Sequence, residues 1–122
     1  MKHPNFTVLF VENPRISADF YGKLLGAEPV ELSDTFAMFI LQSGMKLGLW
    51  SRHTAEPAVS ATGSGTEMVF QVDGDADVDT CHEEWSAKGL PILQKPTLMD
   101  FGYTFTATDP DGHRLRVYAF HE

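Results

Sequence analysis

One pattern constrains this chain more than any other: the same order of strand-like and helix-like segments runs through it twice. Phe6–Val11 is an apolar run rich in β-formers and reads as a buried strand. Asn13 and Pro14 then supply a helix N-cap and a first helical residue. Ile16, Phe20 and Leu24 recur at the spacing of an amphipathic helix, flanked by Tyr21 and Leu25, and Gly26 ends it. Strand candidates follow at residues 29–32, 36–41 and 46–50. Residues 52–65 are rich in Ser, Thr, Gly and Pro and read as an exposed connector. The order then returns. A strand at 66–72 precedes a helix marked by Val78, Cys81 and Trp85 and ended by Gly89. Strands at 92–95, 103–108 and 115–120 complete it, the last two joined by a turn whose Asp111-Gly112 step is a strong hairpin signal. The halves share little identity, so the repeat is one of pattern. The reading is a single α+β domain over residues 1–122, built of two βαβββ modules at about 5–51 and 66–122 around a linker at about 52–65.

Composition limits the partners. With 43% hydrophobic and 11% aromatic residues, the chain has the makings of a packed core. Its formal net charge of -8 repels phosphate backbones and anionic lipid, so neither nucleic acid nor a membrane is an expected partner. The single cysteine, Cys81, allows no internal disulfide and no CxxC knuckle, which suits a cytoplasmic protein. The opening apolar run is cut short by Glu12 and Asn13, too soon for a signal peptide. The chain holds no G-x-S-x-G, no phosphate loop and no cysteine paired to an evident histidine, so no catalytic residue is expected. His3, His53, His82, His113 and His121 are scattered and read as surface residues. Asp73, Asp75, Asp77 and Asp79 alternate as in a calcium loop, but Val78 stands where that loop needs glycine. They read instead as acids at a helix N-terminus.

Asn13, Ser17, Phe20-Tyr21 and Leu25-Gly26 resemble the D-x-x-x-S-x-x-F-Y-x-x-x-L-G opening of the vicinal oxygen chelate superfamily. Val72-Asp73 is similar to the start of its second module, and residues 109–113 to its closing hairpin. The resemblance implies a glyoxalase/bleomycin-resistance-type fold and a homodimer whose clefts are built at module interfaces. It also implies four metal-ligand positions. Aligned by these motifs, the first falls on Phe6 and the last on Arg116, a permanent cation. The strand at 46–50 carries no His, Asp or Glu, and the second-module position keeps Glu67. One ligand of four does not hold a metal, so no metal and no cofactor is expected. Glu67 and Arg116 are expected to form a bidentate pair instead.

The aromatics then become the candidate site. Trp50 stands at a strand end beside Ser51, with Phe36 and Met38 on the preceding strand. Met99, Phe101, Gly102 and Tyr103 cluster near the penultimate strand. Such residues suit a slot for a flat, polarizable molecule. Phe20, Phe39, Phe70 and Trp85 read as core, and Cys81 as packing. The strand end at 49–51, Glu56-Pro57, Glu67, the Glu84-Trp85 spacing, Phe101-Gly102 and residues 109–116 most resemble the phenazine-antibiotic (griseoluteate-binding) resistance proteins. That resemblance implies metal-independent sequestration of a planar aromatic compound by Trp50, Phe36, Met38, Ser51, Glu67, Met99, Phe101, Gly102, Tyr103 and Arg116, rather than catalysis. The alternative is a metal-dependent lyase or dioxygenase with an atypical ligand set.

Overall fold

The computed structural model describes residues 1–122 and divides into two compact units, 1–62 and 63–122. The first runs β1 (Phe6–Val11), α1 (Pro14–Leu25), β2 (Glu31–Leu32), β3 (Phe36–Ile40) and β4 (Lys46–Ser51). Its sheet has the order β1-β4-β3-β2, with β1 parallel to β4 and the other pairs antiparallel. Asn13 caps α1 by accepting from the Arg15 and Ile16 amides, and Gly26 closes it in the left-handed region that glycine enters without steric cost.

The helix does not bury the stripe its large residues suggest. Pro14, Ser17, Ala18 and Tyr21 face the sheet, while Ile16 is 58% exposed and Phe20 and Leu24 are half-buried. Small Ser17 and Ala18 let the helix axis approach the sheet closely, which displaces the bulkier side chains to its flanks. The core beneath is Leu9, Val11, Ala37, Phe39, Leu47 and Leu49. Strand β1 is likewise not buried on both sides, since Phe6 and Val8 are exposed.

The second unit repeats the order with β5 (Glu67–Val72), α2 (Asp75–Ala87), β6 (Ile92–Met99), β7 (Gly102–Thr108) and β8 (Arg114–Phe120), its sheet running β5-β8-β7-β6. Here Trp85 is the keystone, its ring edge-on to Phe70 at 5.5 Å and to Phe105 at 5.3 Å. Val78, Leu115, Val117 and Ala119 complete this core. Strand β6 extends to Met99, four residues beyond expectation, and accommodates Pro96 through register shifts. It is an edge strand, where a missing amide costs no ladder bond. The Asp109 carboxylate accepts from the Asp111 and His113 amides and closes the β7–β8 turn. His113 is thereby buried rather than a surface residue, and His82, half-buried, packs edge-on against Phe105. No helix is long and apolar enough to cross a membrane.

Candidate ligand-binding faces

Side chains alternate along a strand, so in each unit one sheet face meets the helix and the other faces away from it. The register fixes the membership of that second face. In the first unit it pairs Phe6 with Lys46, Val8 with Gly48 and Phe10 with Trp50 across β1 and β4. Phe36, Met38 and Ile40 line it from β3. Phe10 and Trp50 form a tilted ring pair with centroids 5.9 Å apart, and Lys46 Nζ lies 5.8 Å from the Phe6 centroid. Gly48 makes room for the rings. A Cβ there would stand 2.8 Å from the edge of Phe6 and 3.1 Å from that of Phe36. The result is an apolar, half-exposed aromatic surface with a glycine beneath it.

Trp50, Phe36 and Met38 therefore lie together as expected, and Phe6, Phe10 and Val8 join them. Ser51 does not. It pairs with Val11 on the helix-facing side, is 5% exposed, and its Oγ accepts from the His53 amide. A wide groove of about 640 Å³ lies elsewhere in this unit, between α1 and residues 26–32. Charged Arg15, Asp19, Lys23 and Glu28 line it and no aromatic ring does, so it does not suit stacking.

The corresponding face of the second unit is polar. Arg116 Nε and Nη2 donate to the two carboxylate oxygens of Glu67 at 2.8 and 3.0 Å, the expected fork. Nη1 donates to Gln94 Oε1 at 3.1 Å and to Thr104 Oγ1 at 3.2 Å. Arg114 Nη2 approaches Glu67 Oε2 at 2.6 Å. The hydrogen bond from Arg116 pulls the Glu67 carboxyl below its ordinary value of 4.5, against the opposing effect of burial, and the charges of both arginines add to it. Phe101 sits against this network, 5.8 Å from Arg116 Cζ and edge-on to Tyr118 at 5.7 Å. Met99 reaches it through Gln94, whose Nε2 donates to the Met99 sulfur.

Two expected members are elsewhere. Tyr103 shares the helix-facing side with Phe105, and its hydroxyl donates to Asp79 at 2.7 Å. That bond holds the phenol above its usual value. Gly102 has the right parity but a backbone role: at φ 146° a Cβ would overlap the Ala119 carbonyl. Arg114, Gln94 and Phe10 were missed. Their signal was strand alternation, as in Arg114-Leu115-Arg116-Val117-Tyr118, where every second residue is apolar and buried.

The superfamily's metal does not fit this donor set. Phe6 and Lys46 to Trp50 offer no ligand, and the Glu67 carboxylate is committed to two guanidiniums. No three His, Cys, Asp or Glu side chains come together in a grouping that suits a metal ion. In the aspartate run, Asp77 accepts from the Gly74 amide at the start of α2. Cys81 is half-buried, and burial, with Glu84 beside it, pushes its thiol up to about 11, the wrong direction for a nucleophile.

Comparison with known proteins agrees with the architecture. The model of the family described as Glyoxalase/Bleomycin resistance protein/Dioxygenase superfamily matches residues 3–117. The phenazine antibiotic resistance protein EhpR of Enterobacter agglomerans is 29% identical over 117 residues, covering 93% of this chain and 89% of its own length. A protein of Agrobacterium tumefaciens solved by solution NMR is 59% identical, with a TM-score of 0.93 and full coverage of both chains. A glyoxalase-related enzyme from Fulvimarina pelagi shares the fold at 21% identity, with a TM-score of 0.84 over 98% of this chain and 88% of that one.

Proposed function

This chain belongs to the glyoxalase/bleomycin resistance protein/dioxygenase superfamily, and we propose that within it the protein binds and sequesters a planar aromatic small molecule, a phenazine-like antibiotic or related drug, without a metal. The observation that carries this reading is the aromatic face of the first unit, where Phe10, Trp50 and Phe36 surround Gly48. Such a surface exposes π-faces to a flat ligand and adds little to a core that Leu9, Leu47, Leu49 and Phe39 already complete on the other side of the sheet. The polar face of the second unit supplies hydrogen-bonding groups held in place by one another. The similarity to a phenazine antibiotic resistance protein supports the same class of ligand. Resistance then follows from stoichiometric capture, not turnover, in a cytoplasmic homodimer.

Stacking on a preformed surface supports micromolar affinity, roughly -8 kcal/mol. Titration with phenazine, followed by tryptophan fluorescence, tests the reading. Trp85 is buried between Phe70 and Phe105, so quenching that disappears in Trp50→Ala reports Trp50. Saturable quenching in the parent and its loss in the variant are expected. No quenching by any planar drug, or quenching untouched by Trp50→Ala, sinks the proposal. Glu67 is the one side chain of ligating type at the four positions and all that favours a metal-dependent lyase or dioxygenase. Stoichiometric Zn, Ni, Mn or Fe in the purified protein would reverse the ranking.

A further inference from the structure

The aromatic face of the first unit carries a cation of its own. Lys46 opens β4 and shares that face with Gly48 and Trp50, since every second side chain of a strand points the same way. Its neighbours across the ladder are Phe6 and Ile40, and its half-buried side chain brings the ammonium to 5.8 Å from the Phe6 centroid. Arg15 and Lys23 are matched by Asp34 and Asp19, but no carboxylate comes within ion-pair distance of Lys46. The other charge with this parity is Glu31, which pairs with Met38 from the edge strand β2 and is exposed. Strand β3 separates it from β4, so Glu31 marks the rim of the face and Lys46 lies within it.

Rings alone would set the opposite preference. The π-faces of Trp and Phe attract cations, so Phe10, Trp50 and Phe36 without Lys46 would favour a flat cation over a flat neutral molecule. The field of a chain whose formal net charge is -8 pulls in the same direction. Lys46 opposes both. It already engages the Phe6 ring, and it sets an uncompensated positive charge beside the stacking position. Lys46 and Trp50 stand about 13 Å apart along β4 at the usual rise of a strand, so a ring system over Gly48 is centred about 7 Å from the lysine's row. At that range two like charges weaken binding severalfold, even with partial screening by water.

We infer that Lys46 is a specificity-determining residue that bars permanently cationic planar compounds from the aromatic face and so restricts its ligands to flat heteroaromatics without positive charge. This rests on the reading that a planar aromatic molecule stacks at Trp50, and it concerns the first unit alone.

The test compares phenazine with N-methylphenazinium, the same ring system with a fixed positive charge, by isothermal titration calorimetry in the dark on the intact protein. The parent is expected to bind phenazine more tightly by about fivefold to tenfold. Lys46→Gln should move the ratio of the two affinities toward the cation by about the same factor, and Lys46→Glu should move it further and invert the preference. Taking the ratio within each protein cancels a loss of folded material, and comparing ratios between proteins cancels the added methyl group. The comparison in the parent needs no variant to fold. A parent that binds the cation as tightly as phenazine or more tightly, or a ratio that both variants leave unchanged, overturns the assignment to Lys46 and leaves stacking at Trp50 intact. Absence of binding by both compounds overturns the stacking reading and this one together.

Discussion

The two sheets share one scaffold and differ in chemistry at nearly every matched position. On the face turned from the helix, Phe6 and Lys46 of the first unit correspond to Glu67 and Arg114 of the second. Val8 and Gly48 correspond to Val69 and Arg116, and Phe10 and Trp50 to Gln71 and Tyr118. From the third strand of each, Phe36, Met38 and Ile40 correspond to Thr104, Thr106 and Thr108. The central helix-facing positions of the last strand remain apolar in both units: Leu47 and Leu49 in one, Leu115 and Val117 in the other. Folding thus constrains one side of each sheet and leaves the other to function. A residue on the unconstrained side is held only by its neighbours on that side, so the two faces should respond differently to truncation.

The sharpest break in that comparison is Arg116→Ala. Removing one partner of a fully buried ion pair costs roughly 3–5 kcal/mol. Glu67 is 25% exposed and keeps Arg114, so a loss of about 2–3 kcal/mol is expected here. Urea denaturation measures it, and a loss below about 0.5 kcal/mol would place the network among surface pairs that contribute little. The matched position in the first unit is Gly48, and Gly48→Ala should cost less, about 1 kcal/mol. The new Cβ meets ring edges of Phe6 and Phe36, which are partly exposed and can swing aside. Its mark should be on ligand affinity, because the swing disturbs the aromatic surface. A larger stability loss than for Arg116→Ala would mean that the aromatic face is core after all.

What was legible in the sequence follows the same division. Element order, the Asn13 and Gly26 caps and the Asp109 turn carry local chemistry that tertiary contacts do not override. The Glu67–Arg116 fork was legible because two opposite charges at inward strand positions have few other ways to be satisfied. Which face Phe6–Val11 buries was not, because β1 is apolar on both sides and alternation is then silent. The same ambiguity hid Phe10. Helix α1 misled for a related reason: its largest apolar residues lie beside the stripe that small Ser17 and Ala18 define. Ser51 and Tyr103 were grouped with the site by nearness in the chain, although each is one residue out of phase with it.

The smallest expected effect concerns protons, and its sign follows from Glu67. Hydrogen bonding to Arg116 lowers this carboxyl in the folded protein below its ordinary value of 4.5. The unfolded chain therefore takes up the proton first as pH falls, and folded stability drops with it. The contribution is fully present above the unfolded value and is lost as pH descends through the folded one. The first strand of the other unit carries no carboxyl at the matched positions, since Phe6, Val8 and Phe10 stand where Glu67, Val69 and Gln71 do. Glu67→Gln should accordingly flatten the acid limb of a stability-versus-pH curve below about pH 4.5 while lowering the plateau at pH 7. Gly48→Ala should lower the whole curve without changing its shape. If Glu67→Gln leaves the acid limb as steep as the parent's, the fork does not persist in solution, and the polar face loses the rigidity that sets it apart from the aromatic one.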